Sequence, residues 1–327
     1  MVVPLTCRLG AKEDLPALRE LWEKETDWGP MDPEFRHWLH DNPWPGSFVV
    51  VAVDADHRIV GQFSFIAMPV SVQGDAVQAA RTYGAIVSRT VRESWCNRDV
   101  AHHPVKQMFG YGVSEARARG YRMIFSMPDP RWSGFFRLHP TFRYSTFTLW
   151  SRSLPLSEPL QLPPGYWSAP LTRWDDEIDR LWQTSARLHG CVVMRDARTL
   201  QWKLAGFDVR AVYREARLVG LVSSRVRGGD QQNQLEICDV LSEDIGPSLD
   251  ATLRAVVNVA HQAAIEREPD MPLKKAAVLM IPVLEQPLCA LGFGPEQYEF
   301  PFFVHCVDPM LSKERVDPSR WYLSQND

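Results

Sequence analysis

Apolar positions along the chain switch between two periods. From Glu13 to Thr26 they fall at helical spacing (Leu15, Leu18, Leu21, Trp22), with Asp14 placed as an N-cap. Residues 31–43 predict a second short helix that Pro43 stops. Over 47–72 the pattern becomes two apolar runs about a polar turn at Asp54–His57, which predicts a hairpin. A strand follows over 80–91. Residues 102–120 predict a helix entered near Pro104 and closed by Gly120. The pattern then gives a strand over 121–128, a short helix and turn over 130–142, and a strand over 143–152.

Residues 154–170 are proline-rich and lack any period, which predicts a linker. Beyond it the order starts again. Helices are predicted over 175–188 and 196–206, a hairpin over 208–226, a strand over 234–241, and a long helix over 248–267. A strand over 274–282, a helix and turn over 284–294, and a strand over 298–307 complete it. One ten-residue word marks the repeat. "AVDADHRIVG" at 52–61 returns as "AVYREARLVG" at 211–220, an offset of 159 residues. The chain reads as two copies of one α/β unit. Residues 1–153 form the expected first domain, 154–170 the linker and 171–327 the second domain.

Composition fits this picture. A chain of 327 residues suits two cores better than one. The net charge of −4 argues against a nucleic-acid partner. No apolar run matches a membrane span, so no membrane partner is expected. The opening "MVVPLTCRLGAKEDLPALRELW" has no basic-then-apolar signal pattern, which makes the cytoplasm the expected location. Cys7, Cys96, Cys191, Cys238, Cys289 and Cys306 form no CxxC pair and read as reduced thiols. His37 and His40 lie one helical turn apart beside Asp41. No third ligand has recognisable spacing, so no metal is expected.

With "AVDADHRIVG", "VSEARARGYRMIFSMP" and the closing "LCALGF", the unit resembles the GNAT acyltransferase fold, once per half. The chain is similar to the tandem GNAT-like proteins of bacterial biosynthetic clusters, some of which N-acylate amino sugars. "RDARTLQWKL" and "RWYLSQND" share that likeness. The resemblance implies a tandem of two GNAT-like mixed α/β units. It also implies an acyl-CoA donor and a small-molecule primary amine, such as an amino sugar or amino acid, as acceptor. Such enzymes bind the donor's pyrophosphate on backbone N–H groups of a loop ahead of a helix. The matching place is "RDVAHH". Arg98 fits the family's pattern and Ala101 is a small substitute, while His103 departs from it. The second half's "SEDIGPSLDATL" has no match, which implies a degenerate copy that shapes the substrate site or a homodimer face.

The resemblance also assigns roles. Val87, Ser88 and Arg89 lie where a splayed strand would offer a backbone donor to the tetrahedral oxyanion. Together with Arg98, Ala101 and His102 they form the expected donor-binding set. Glu93, Asp99 and His103 are the expected catalytic residues, titratable groups near that point. Phe136 and Leu288 stand near the places where the family has a proton-donating Tyr, and neither can donate. Asp129 ends a strand where substrates approach, and Cys96 lies in the donor loop. Two other readings stand beside this one. An acyl carrier protein could replace CoA and tolerate a weaker pyrophosphate loop. Alternatively, the chain is a silent GNAT-like binding protein.

Overall fold

A computed structural model describes residues 5–95, 103–130, 142–226, 233–267, 272–311, 316–324 and 327. The chain separates into two compact units. The first comprises Met1–Val70, Val77–Tyr144 and Phe303–Ser312; the second comprises Ser71–Ala76, Ser145–Phe302 and Lys313–Asp327.

The first unit is a mixed sheet with helices on both faces. Its strands are β1 (Thr6–Leu9), β2 (Phe48–Val53), β3 (Ile59–Ala67), β6 (Ala79–Val87) and β7 (Met123–Ser126). They run in the order β1-β2-β3-β6-β7. The end of β15 (Gly294–Cys306) completes the sheet, pairing Phe303 to Ser126 and Cys306 to Met123. One face carries α1 (Leu15–Glu25) and α2 (Met31–Phe35), the other α4 (Pro104–Ala118). Successive strand residues face opposite ways. Val50 therefore joins Phe63, Met108 and Phe109 in the core under α4, while Val51 joins Trp22, Phe35 and Ile86 under α1. Burial on both faces explains the unbroken apolar run "FVVVAV". α3 (Arg89–Trp95) follows β6 directly.

The second unit repeats the plan. β9 (Tyr166–Pro170), β11 (Asp208–Arg214), β12 (Arg217–Val226), β13 (Gln234–Ser242), β14 (Lys275–Leu279) and β8 (Phe142–Ser153) lie side by side, β9 and β8 being the first and last. Its helices are α5 (Asp176–Ser185), α6 (Ala197–Lys203), the long α7 (Pro247–Glu266) and α8 (Glu285–Ala290). A small sheet of this unit joins β4 (Val70–Val72) and β5 (Asp75–Val77) to β10 (Cys191–Val193) and β16 (Trp321–Tyr322).

Four sequence boundaries change. The strand expected over 80–91 ends at Val87, because α3 begins at Arg89. The second strand of the first hairpin ends at Ala67, and β4 starts separately after Met68 and Pro69. The expected linker 154–170 holds an edge strand, since Tyr166–Pro170 pairs with Arg214–Arg210 of β11. The cut at 153 also fails. Ser145–Ser153 of β8 belongs to the second unit, and the end of β15 to the first. Apolar pattern reveals a strand but not its neighbour, so an exchange of closing strands leaves no mark in it.

The repeated word has a structural basis, with one shift. In both hairpins a valine bulges out: Ala52 faces Gly61 and Val53 faces Ile59, skipping Val60. Likewise Val212 faces Gly220 and Tyr213 faces Leu218, skipping Val219. The returning strands keep the sequence offset. The outgoing strands are displaced by one, because the second turn is a residue shorter, so Ala52 corresponds to Val212 and not to Ala211. Among the described residues no helix is long and apolar enough to cross a membrane.

The paired glycines let a helix approach the sheet. A Cβ on Gly61 would lie 3.1 Å from Met108 Cε, the end of a flexible chain, whereas one on Gly220 would lie 2.0 Å from Thr252 Oγ1. Thr252 is buried and its hydroxyl donates to Ser248 O at 2.7 Å. Gly220→Ala is therefore expected to destabilise the protein by about 1–3 kcal/mol, the range for overpacking. Gly61→Ala should have a smaller effect in the same urea titration.

Candidate functional site

The site begins where two parallel strands part. β6 and β7 pair from Ala79–Met123 to Arg81–Phe125. Beyond that β6 runs on through Thr82–Val87, while β7 ends at Ser126 and the chain turns away at Pro128. A bulge sharpens the divergence. Gln62 faces Ile86 and Ser64 faces Tyr83, so Gly84 and Ala85 share the place opposite Phe63. Gly84 has φ +60, and a Cβ there would lie 3.2 Å from Trp22 Cζ3, so both backbone and space favour glycine.

Two cavities of the first unit meet along this edge. One, of about 330 Å³, is lined by Arg81–Ala85, Ser126–Asp129, Trp28 and Phe63. The other, of about 650 Å³, is bounded by Lys24–Trp28, Ala85–Val87 and Arg92. Trp28, 51% exposed, borders both. Behind it the wall is aromatic and hydrogen-bonded. Trp28 packs edge-on against Trp22, and Glu34 Oε2 accepts from Tyr83 Oη and Trp38 Nε1, each at 3.0 Å. The Arg81 guanidinium lies 5.0 Å from the Trp38 ring centre and 5.7 Å from that of Tyr83. Burial, then the Glu34 charge, raises the Tyr83 pKa far above that of an ordinary tyrosine. Tyr83 is thus a neutral hydrogen-bond donor fixed on Glu34.

The residues singled out from sequence divide into three groups. Val87, Ser88 and Arg89 do end β6 and open α3. Ser88 N–H donates to Val60 O at 2.8 Å, so it serves the sheet and not an oxyanion. Antiparallel alternation turns the Val87 N–H to the opposite edge, toward the larger cavity. Arg89 and Glu93 lie exposed on α3 and bind each other, Nε to Oε1 at 2.6 Å. Arg98, Asp99, Ala101 and His102 lie outside the described residues, as do Cys96, Phe136 and His139. Asp129 lines the smaller cavity, and Leu288 is buried in α8.

His103 is the N-cap of α4, and its Nδ1 accepts from Val105 N–H at 3.3 Å. Pro104 has no N–H, and Lys106 N–H goes to His103 O at 2.9 Å. The helix start itself therefore offers few donors to a phosphate. Burial lowers the His103 pKa below the ordinary histidine value, leaving a neutral imidazole at pH 7. The matching helix of the second unit is capped by a charge. Asp244 Oδ1 accepts from Gly246 N–H (2.8 Å) and Ser248 N–H (3.1 Å), and Oδ2 accepts from Ser248 Oγ at 2.7 Å. Among the described residues no group of three His, Cys, Asp or Glu side chains is placed to hold a metal. Sequence reading passed over Trp28, Glu34, Tyr83 and Gly84. A glycine inside the strand pattern "ARTYGAIV" was the available sign of a bulge.

No family model and no curated protein matches the sequence. Solved structures match the fold. A GCN5-related N-acetyltransferase from Anabaena variabilis superposes with a TM-score of 0.68 at 10% identity, over 93% of this chain and 73% of its own. A conserved protein of unknown function from Enterococcus faecalis, a probable N-acyltransferase, gives 0.66 at 11% identity, over 93% and 73%. A GCN5-related N-acetyltransferase from Kribbella flavida gives 0.58 at 12% identity, over 94% and 72%. The fold is thus a tandem of two GNAT-like mixed α/β units.

The histidine cap has a pH signature. His103 binds its proton more weakly folded than unfolded, so its contribution to stability is full above about pH 6.5, the unperturbed value, and falls as pH drops below it. Asparagine caps without titrating. Urea unfolding should show the wild type losing stability relative to His103→Asn between pH 8 and pH 5. Parallel pH curves would mean that the cap does not titrate.

Proposed function

We propose that the first unit transfers an acyl group from acyl-CoA to a primary amine of a small molecule, such as an amino sugar or amino acid. The observation that carries this reading is the β6 edge, which leaves β7 at Arg81 and faces cavities that could take both a thioester arm and an acceptor. A neutral amine attacks the thioester carbonyl, the C–N bond forms, and the oxyanion is held by a backbone donor such as the Val87 N–H. Collapse breaks the C–S bond and releases a thiolate. The amine's proton must go to a base. With Nδ1 engaged by Val105, His103 would act through Nε2. Glu93 is a weaker candidate because Arg89 holds its carboxylate. The indole of Trp28 and the ring of Tyr83 offer apolar faces to an acceptor's ring.

A second reading draws on the start of α4. Pro104 and the His103 contacts leave few donors there, which favours an acyl carrier protein as the donor's bearer, since that donor needs less from a pyrophosphate loop.

Calorimetry with acetyl-CoA and longer acyl-CoA tests the reading. Binding is expected for the wild type and at least tenfold weaker binding for Ala85→Phe, which fills the edge between the two cavities. Arg98→Ala should weaken donor binding more than His103→Ala, by about 1.5–3 kcal/mol, the range for hydrogen bonds to charged groups. His103→Ala should lower turnover by about 10²–10⁴-fold if the imidazole is the base. The wild-type rate should then rise through a pKa below 6.5. Unchanged donor affinity in Arg98→Ala would reduce that loop to a connector. Binding without turnover of any amine would favour a silent binding protein.

A further inference from the structure

The second unit repeats the parting of strands, but its edge is covered. The registers correspond: Glu243 N–H donates to Val219 O at 2.9 Å as Ser88 N–H does to Val60 O, and Ser242 faces Gly220 as Val87 faces Gly61. Counting back along each strand places Val240 where the first unit has Ala85, the β6 residue that borders both cavities. Val240 instead meets a side chain of its own unit. The Tyr322 hydroxyl accepts from Val240 N–H and donates to Val240 O, both at 2.7 Å.

Tyr322 arrives on β16, which pairs with β10 through Cys191–Trp321 and Val192–Tyr322. The turn after β14 also has changed neighbours. Ile281–Val283, like Met127–Asp129 in the first unit, follows a strand and contains its proline. It borders a cavity of about 230 Å³ whose other walls are 188–190 and Ser319–Trp321, not the β13 edge.

Buried charges tie the segment down. Arg195 Cζ lies 4.6 Å from the Tyr322 ring centre. Its guanidinium donates to Asp239 (2.6 Å) and to Asp327 (2.5 Å). The Lys203 ammonium donates to Asp239 (3.1 Å), Asp327 (2.5 Å) and Ser324 Oγ (3.2 Å). All of these side chains are buried. Asp239 stands on the stretch of β13 beyond Ile237, where the pairing with β14 ends.

We propose that Trp321–Ser324 with Asp327 is an intramolecular plug of the second unit. Tyr322 makes on the β13 edge the two hydrogen bonds that an extended ligand would make there, and the charged cluster anchors it. The chain then carries one open splayed edge, on β6, and one latent edge, on β13. This inference concerns the β13 edge alone and stands apart from acyl transfer by the first unit.

Hydrogen exchange on full-length Tyr322→Phe tests it, because phenylalanine keeps the ring against Arg195 and removes only the hydroxyl. The Val240 amide should exchange at least tenfold faster than in the wild type, with β6 amides unchanged. A chain ending at Arg320 provides the second arm, titrated with a synthetic heptapeptide of residues 321–327. Saturable 1:1 binding is expected, at least tenfold weaker when the peptide carries phenylalanine for tyrosine. If that chain does not fold alone, the tyrosine peptide should restore its folded fraction at a lower concentration than the phenylalanine peptide. Unchanged Val240 exchange, or equal potency of the two peptides, would overturn the proposal.

Discussion

Parallel strands that part must do something with the backbone groups on the edges that no longer face each other. Each buried N–H or C=O without a partner costs on the order of 1–3 kcal/mol. Both units meet this constraint at the same step of the fold, between their fourth and fifth main strands. The first unit leaves the β6 edge beside two cavities and reinforces the parting with a bulge at Gly84, whose positive φ and close approach to Trp22 favour glycine. In the second, a tyrosine hydroxyl satisfies both groups of Val240. One backbone problem with two solutions accounts for the difference between an edge available to a ligand and an edge that is not.

The helix that follows each parting strand shows the same contrast. The first turn of a helix presents unpaired N–H groups and a positive dipole end, which favours an anion. α7 supplies its own anion in Asp244. A phosphate brought there would meet a carboxylate already bound to the donors it needs. α4 is capped by an imidazole that burial keeps neutral, so the cap itself carries no negative charge, although it uses the Val105 donor. The electrostatic difference agrees with the edge difference in direction. In the second unit both the strand edge and the helix start are already occupied by groups of the chain itself.

Much of the fold was legible because it depends on periodicity. Helical spacing in Leu15, Leu18, Leu21 and Trp22 located α1, and the repeated hairpin word reported a real recurrence of bulge and glycine. The misreadings have a common cause. Tyr166–Pro170 was hidden because prolines surround it, and an edge strand tolerates them, needing partners on one side only. The exchange of β8 and β15 was invisible because a strand's pattern records burial and not which strand lies next to it. For the site, the sequence likeness led to residues 87–103, the part read along the chain. Glu34, Trp28 and Tyr83 come together from α2, the α1–α2 connection and the middle of β6, and no spacing rule links them.

The charged cluster behind Tyr322 is a poor source of net stability and a good source of register. Removing two cations and two carboxylates from water is costly, and their mutual attraction does little more than offset it. Asp239 Oδ2 lacks a partner among the described residues, so even the pairing is incomplete. The favourable free energy of the segment must come chiefly from burying the side chains of Trp321, Tyr322 and Leu323, all nearly inaccessible to solvent. A slip of one residue along β16 would swap the faces that Trp321 and Tyr322 present, and the cluster adds a second penalty to that slip. A slip would separate Asp327 from Arg195 and Lys203 and leave two cations facing one carboxylate in a dry interior. The cluster thus fixes where the segment sits, and that placement puts the Tyr322 hydroxyl within 2.7 Å of both Val240 groups.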